Sequence, residues 1–339
     1  GVVAHELAHQ WWGDMTTCAS FHDIWLNEGF ATWSEAIYLE ALGGWDAYIA
    51  EMRAAQFFGP GTIYVPDTSD WNRIFNSNLS YNKASWIPHM LRGMLGEEVF
   101  WAALAEYRDR FDYRSATTAD FQQAFEDASG QDLEAFFQQW VYGERAPVYQ
   151  YDWSAEPAGG GWDVSLEVLQ LQTAQLFTMP IEIVVNTAQG DQAFRIENSL
   201  AQQNYLLHVD AEPTNVLLDP RSWILRQVIA PIPTPAFDRE LLLVNGVDWD
   251  SYGSEIFTAY EDLCFTGSFQ ADFWDAFQAP SGGYPSTLPA PLGHGSVPGD
   301  VLGHYRTVVW VGNNYNGDLA AWAESPIYSY LGAGGNVYL

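Results

Sequence analysis

Basic residues are scarce in this sequence. Lysine and arginine together number 13, against 43 aspartates and glutamates, which gives a formal net charge of −30 over 339 residues. The negative electrostatic potential of such a protein repels the phosphate backbones of nucleic acids and anionic lipid surfaces. The composition therefore argues against nucleic acid as a partner.

Cysteines and long apolar runs are also rare. Cys18 and Cys264 are the only two cysteines and lie far apart, so they predict neither a disulfide framework nor a zinc–thiolate cluster. No apolar run reaches the roughly 20 residues of a transmembrane helix, and no signal peptide is recognisable at the start. A hydrophobic content of 48% nevertheless predicts globular domains with their own cores.

Both ends of the chain are typical of a fragment. The first residues, Gly1 to Ala4, read as the middle of an apolar helix, and Asn336 to Leu339 read as a strand. An acidic multidomain chain with few cysteines and a proline-rich linker favours export to the periplasm or the extracellular space.

The first domain, residues 1–146, is predicted to be helical because its apolar residues recur at three- and four-residue spacing. Thr117 and Thr118 are suitable N-caps for the helix that contains Asp120. The predicted helices after the first are Asn27–Leu42, Trp45–Phe57, Tyr81–Leu95, Glu97–Phe111, Ala119–Ala128 and Asp132–Tyr142.

Two further domains are predicted after the helical one. Residues 147–229 alternate apolar and polar positions, which predicts a small antiparallel β module. Residues 230–235 are proline-rich and form a predicted linker. Residues 236–339 are predicted to form a doubly wound α/β domain with a parallel sheet, because apolar strands alternate with helices. The strands are Glu240–Val244, Thr307–Val311 and Asn336–Leu339, and the helices are Ser254–Cys264 and Asp318–Leu331. Residues 279–299 are a predicted surface loop.

The main chemical motif is His5-Glu6-Leu7-Ala8-His9. On a helix, positions i and i+4 share one face, so both imidazoles can reach a single zinc ion. Glu6 lies beside them, where it can orient and deprotonate a water molecule. The ordinary alternative is two histidines on a solvated helix face.

Glu28 supplies the third ligand that such a zinc site needs. Eighteen residues separate it from His9, and it stands at the start of the next amphipathic helix, in Trp25-Leu26-Asn27-Glu28-Gly29. Two histidines and one carboxylate leave a fourth position open, which is the composition of a hydrolytic rather than a structural site. We therefore predict one Zn²⁺ ion held by His5, His9 and Glu28.

The motif and its flanks resemble the M1 aminopeptidases, a gluzincin family. The resemblance runs through residues 3–14 (VAHELAHQWWGD) and 23–31 (DIWLNEGFA), with the spacer length of that family, and continues more loosely to about residue 228. Tyr81-Asn82-Lys83-Ala84-Ser85 is similar to the M1 segment whose tyrosine donates a hydrogen bond to the tetrahedral intermediate. The β module is similar to the sandwich domain that follows the catalytic domain in some members.

The resemblance implies a zinc-dependent enzyme that removes N-terminal residues from peptides. Glu6 would act as the general base and Tyr81 would stabilise the oxyanion. Glu35, seven residues after Glu28, and Asn27, next to Glu28, are expected to support the ligands without binding the metal.

Two alternatives stay open on sequence grounds. The same zinc chemistry would serve a thermolysin-like endopeptidase, because the Gly-x-Met-Glu-Asn strand by which M1 enzymes recognise the α-amine is not found in this chain. The second alternative is a catalytically degenerate binding protein. The last domain resembles the class I glutamine amidotransferase or flavodoxin type, but it carries no phosphate-binding loop and no nucleophile elbow.

Overall fold

The computed structural model describes residues 1–229, 232, 235–249, 271–277, 279–284, 286, 288–312 and 326–339. The chain divides into two compact units, one of Gly1–Tyr149 with Trp153–Gln227 and one of Gln150–Asp152 with Val228–Leu339. The protein is therefore multidomain, with helical and sheet parts. The helical and antiparallel segments, predicted as separate domains, fall within one unit.

The helices of the first unit pack around an aromatic core. Four rings are almost completely buried, and one of them, Phe121, contacts the other three edge to face: Trp25 (centroids 5.6 Å apart), Phe30 and Phe137. The helices are α1 (Val2–Ala8), α2 (Trp25–Ala54), α3 (Trp71–Ile74), α4 (Ala84–Leu95), α5 (Glu97–Arg110), α6 (Thr118–Ser129) and α7 (Glu134–Trp140).

One of these helices is interrupted where the sequence predicts a stop, and another differs from the prediction. Within α2, Gly44 has non-helical φ and ψ of 72° and −165°, which favour glycine, so two helical segments meet there as predicted around Gly43. The predicted helix Tyr81–Leu95 begins earlier, as a π-helix over Ser77–Lys83 that continues into α4. Periodicity cannot reveal such a turn, because its seven residues are too few to establish a repeat.

Short connections fix the start of α2 against α6. Strands β1 (Thr16–Cys18) and β2 (Arg114–Ala116) pair in parallel. The buried carboxylate of Asp23 accepts hydrogen bonds from the backbone N–H and the hydroxyl of Thr118, at 3.0 and 2.7 Å. Thr117 is the N-cap of α6 and forms a capping box with Asp120, as predicted from the sequence.

The antiparallel module consists of two sheets. Strand β4 pairs with β7, and β5 pairs with both β6 and β8, all antiparallel. Burial alternates along β4 and β5, which confirms the predicted period of two. The strand orders are β7-β4-β3-β9 and β6-β5-β8, with β3 (Val148–Ala158), β4 (Gly161–Gln170), β5 (Met179–Thr187), β6 (Gly190–Asn198), β7 (Gln202–Val209), β8 (Pro213–Leu218) and β9 (Gln227–Val228).

The second unit contains the predicted parallel sheet. Its central strand, β10 (Arg239–Gly246), has six consecutive buried residues, as expected for a sheet that is covered on both faces. The strand order is β12-β11-β10-β13-β14, with β10 (Arg239–Gly246), β11 (Ala271–Asp275), β12 (Pro291–His294), β13 (Tyr305–Gly312) and β14 (Asn336–Tyr338); short helices α8 (Gly299–Leu302) and α9 (Ile327–Gly332) are also described.

Two strands of this sheet were missed by the sequence analysis. Ala271–Asp275 has only five residues with acids on both sides of its apolar core, and Pro291–His294 begins with proline inside the predicted loop. Proline is tolerated there because the strand lies at the edge of the sheet. The predicted helix Ser254–Cys264 lies outside the described residues, as does most of Asp318–Leu331.

The strand order bears on the predicted resemblance. Counted along the chain, the five strands that the structure describes run 3-2-1-4-5, whereas flavodoxin-like sheets run 2-1-3-4-5. The described strands thus differ in order from the flavodoxin type, and the amidotransferase resemblance stays a prediction. In the part of the chain that is described, no helix has both the length and the apolarity needed to cross a bilayer.

Candidate metal centre

The two histidines of the motif and Glu28 come from neighbouring helices. His5 lies in α1, and His9 follows the last residue of that helix with helical φ and ψ of −60° and −19°. The carboxylate of Glu28 stands in the first turn of α2, with only 9% of the residue exposed. The turn and β1 between these helices bring the chain back to the histidines.

The distances among the three side chains match one small cation. The Glu28 Oε2 atom lies 3.4 Å from His5 Nε2 and 3.3 Å from His9 Nε2. Two ligands of a tetrahedral zinc ion are about 3.3 Å apart, because each bond is about 2.0–2.1 Å long. One ligand atom from each residue lies within 4.8 Å of the others, and among the described residues this is the single group of its kind.

The second nitrogen of each ring is hydrogen-bonded, which fixes the orientation of the ring. His9 Nδ1 donates to the backbone carbonyl of Trp12 at 2.9 Å, so the neutral ring has its lone pair on Nε2. His5 Nδ1 donates to Glu35 Oε1, also at 2.9 Å. Both rings therefore present Nε2 toward Glu28, as a metal site requires.

The electrostatics of the cluster also favour a positive charge between its members. Contact with Glu28 raises the pKa of both histidines, that of His9 to about 9, although burial opposes the change. Burial raises the pKa of the Glu28 carboxyl, but hydrogen bonding to the two histidines outweighs it and lowers the pKa to about 2. A proton or a metal cation can supply this charge, and the two compete.

Tyr81 and Glu6 border the same cluster. The Tyr81 ring is stacked against His5, with centroids 6.0 Å apart. Burial, followed by the charges of Glu28 and Glu6, raises the pKa of the Tyr81 phenol to about 12, so the phenol remains a hydrogen-bond donor at neutral pH. The Glu6 side chain is exposed beside the cluster.

Asn27, which the sequence analysis expected to support the ligands, hydrogen-bonds to the strand that precedes α2. Its amide oxygen accepts from the backbone N–H of Cys18 at 3.0 Å, and its nitrogen faces the Thr17 hydroxyl at 3.4 Å. These bonds tie α2 to β1, and in the described structure none joins Asn27 to a histidine. The Trp12 carbonyl, which the sequence analysis missed, orients His9 instead; a backbone acceptor leaves no signal in the sequence.

Comparisons with known proteins point to one family for this region. Residues 1–140 match the model of the Peptidase family M1 domain. Over 157 residues the chain is 33% identical to Aminopeptidase M1-A of Oryza sativa subsp. japonica, which covers 43% of this chain and 18% of that protein. It is 35% identical over 158 residues to Aminopeptidase N of Lactococcus lactis subsp. cremoris (strain MG1363), covering 43% of this chain and 19% of that protein.

A solved structure extends the likeness at the level of the fold. Legionella pneumophila aminopeptidase A, crystallised in complex with aspartic acid, matches with a TM-score of 0.57 and 19% identity over 67% of this chain and 26% of that chain. The present chain thus spans less than a fifth of the length of the two relatives above. Its similarity to M1 peptidases is therefore established over the segment that holds the metal centre.

Proposed function

We propose that residues 1–140 form the catalytic part of a zinc aminopeptidase that releases N-terminal residues from peptides. The proposal rests chiefly on the distances from Glu28 Oε2 to His5 Nε2 and His9 Nε2, 3.4 and 3.3 Å, which match the separation of two zinc ligands. The match to the M1 domain model and the aminopeptidase names of its relatives support it.

The donor set fits zinc better than a proton alone. Two imidazole nitrogens and one carboxylate oxygen make up the hydrolytic type of zinc site, and both rings are held by second hydrogen bonds. Zinc bound by His5, His9 and Glu28 would supply Lewis acidity toward water and toward the scissile carbonyl.

The side chains around this set have complementary tasks. Glu6, exposed at the edge of the cluster, would take the proton of the attacking water and pass it to the leaving amine. Tyr81 keeps its phenolic proton, so it can donate a hydrogen bond to the oxygen that becomes negative in the transition state.

Two substrates test the exopeptidase assignment in the full-length protein. An aminoacyl-anilide should release its chromophore, and N-acetylation of the same anilide should abolish the release. Equal cleavage of both substrates would indicate an endopeptidase, and no chelator-sensitive cleavage of either would contradict the enzymatic proposal.

The substitution Glu6→Gln tests the general base. It removes the carboxylate but not a metal ligand, so zinc content should be unchanged while kcat falls by about 10²- to 10⁴-fold. Glu98→Gln, which neutralises an exposed carboxylate on α5, is the control and should keep full activity. A Glu6→Gln enzyme with wild-type kcat would exclude Glu6 as the base.

A further inference from the structure

Lys83 is the only lysine of the chain and is completely buried. Its Nζ atom donates to the backbone carbonyl of Gly143 at 3.4 Å. Among the residues that the structure describes, no carboxylate lies within 4.0 Å of this nitrogen, and burial lowers the pKa of Lys83 to about 8. A buried amine without an ion-pair partner costs free energy, so stability alone does not account for a lysine at this position.

The carbonyl that accepts this hydrogen bond is itself held in place. Gly143 follows α7, and the neighbouring carbonyls of Gln139 and Glu144 both accept from the side-chain amide of Gln175, at 3.1 and 3.0 Å. The carbonyl of Val141 accepts from two further backbone N–H groups. Lys83 is therefore bonded to a fixed point of the fold.

The other end of this connection is the π-helix that carries Tyr81. The first turn of the π-helix is fixed by Asn76, which caps it, and by Ser80, whose hydroxyl donates to the carbonyl of Ile74 at 2.8 Å. Lys83 is the last residue of the π-helix, two positions after Tyr81. The wide turn of a π-helix is uncommon and needs such contacts to persist.

We propose that Lys83 is a positioning residue for Tyr81. Its bond to the Gly143 carbonyl fixes the end of the π-helix and thereby the direction of the Tyr81 phenol beside His5 and Glu28. This inference rests on the proposed function of Tyr81 as an oxyanion donor.

The substitution Lys83→Met tests this role in the full-length protein. Methionine fills a similar volume but removes the donor, so kcat should fall about tenfold, because a small misplacement of a catalytic group is costly. The KM, the zinc content and the melting temperature should stay at the wild-type values. Ser85→Ala removes a buried hydroxyl of the same region, which donates to the carbonyl of Asn82, and should leave kcat unchanged.

A double-mutant cycle separates positioning from a general structural effect. If Lys83 acts through Tyr81, Lys83→Met should cause no further slowing in a Tyr81→Phe background. Additive slowing, or an unchanged kcat for Lys83→Met while Tyr81→Phe is slow, would refute the inference.

A spectroscopic readout holds even if the enzymatic proposal fails. In protein labelled with carbon-13 at tyrosine Cζ, the Tyr81 resonance is the one lost in Tyr81→Phe. Lys83→Met should shift or broaden it, whereas Ser85→Ala should not. An unmoved resonance overturns the positioning role, while an inactive wild-type protein with a moved resonance overturns only the catalytic role of Tyr81.

Discussion

The two histidine rings of the candidate metal centre are oriented by unlike acceptors. A carboxylate, that of Glu35, accepts from His5, whereas a backbone carbonyl, that of Trp12, accepts from His9. A carboxylate also makes its histidine more basic, so His5 is the ligand whose strength depends on a removable side chain.

Removal of the Glu35 carboxylate should therefore weaken metal binding. We expect Glu35→Ala to reduce zinc affinity by about 10- to 100-fold, measured by competition with a chromophoric chelator. Glu35→Gln should lose less, because the amide oxygen still accepts from His5. Glu98→Ala, on the exposed side of α5, is the control; equal zinc affinity in the Glu35 and Glu98 variants would mean that Glu35 does not support the ligand.

At this scale the sequence predicted what helix geometry dictates. His5 and His9 share a helix face at four-residue spacing, and Glu28 follows at a distance that the intervening loop can close. The acceptors at Trp12 and Gly143 could not be predicted, because every residue carries a backbone carbonyl and only the tertiary fold selects one. The contact of the Asn27 amide oxygen with the backbone N–H of Cys18 in β1 could not be predicted for the same reason.

Among the elements, α2 and α4 approach each other unusually closely beside the metal centre. A Cβ atom on Gly29 would lie 2.6 Å from the Cβ and 3.0 Å from the carbonyl carbon of Ala84, the first residue of α4. Gly29 follows the ligand Glu28 directly, and Ala84 follows the π-helix that carries Tyr81. The absence of a side chain at Gly29 thus allows the Tyr81 phenol to lie close to the Glu28 carboxylate.

The substitution Gly29→Ala should therefore affect both stability and catalysis. The added methyl group must push the two helices apart, at a cost of about 1–3 kcal/mol in the free energy of unfolding. The kcat value should fall as Tyr81 moves from the cluster. Gly332→Ala, in α9 where nothing lies within 4 Å of the added atom, is the control for urea unfolding; a fully stable and active Gly29→Ala protein would refute this packing argument.

The sequence predicted helices and strands correctly where apolar residues recur at one regular spacing along the segment. Apolar spacings of three and four residues gave the helices and alternation gave the strands of the β module, because burial on one face imposes the period. Prediction failed for β11, where acidic residues flank the apolar core, for β12, which begins with proline, and for the π-helix Ser77–Lys83, whose form depends on tertiary contacts.

On the scale of the whole molecule, charge of one sign dominates. With 43 acidic and 13 basic residues, most carboxylates have no basic partner available. The compact state brings these charges together, so their mutual repulsion opposes folding.

Salt should therefore stabilise this protein. Raising sodium chloride from about 0.05 M to about 0.5 M shortens the screening length and should raise the melting temperature at neutral pH. The matched control is the same pair of measurements at about pH 4.5, near the carboxylate pKa, where the rise should be much smaller. A melting temperature insensitive to salt at neutral pH would show that the repulsion is unimportant.

The position of Glu28 has a mechanical consequence for the polypeptide. A cation bound by His9 and Glu28 would join two points separated by eighteen residues, and because it binds only the folded arrangement, its binding free energy would add to the free energy of unfolding. The ion proposed for the reaction would thereby also stabilise the fold of the segment between its ligands, which contains the turn, β1 and the start of α2.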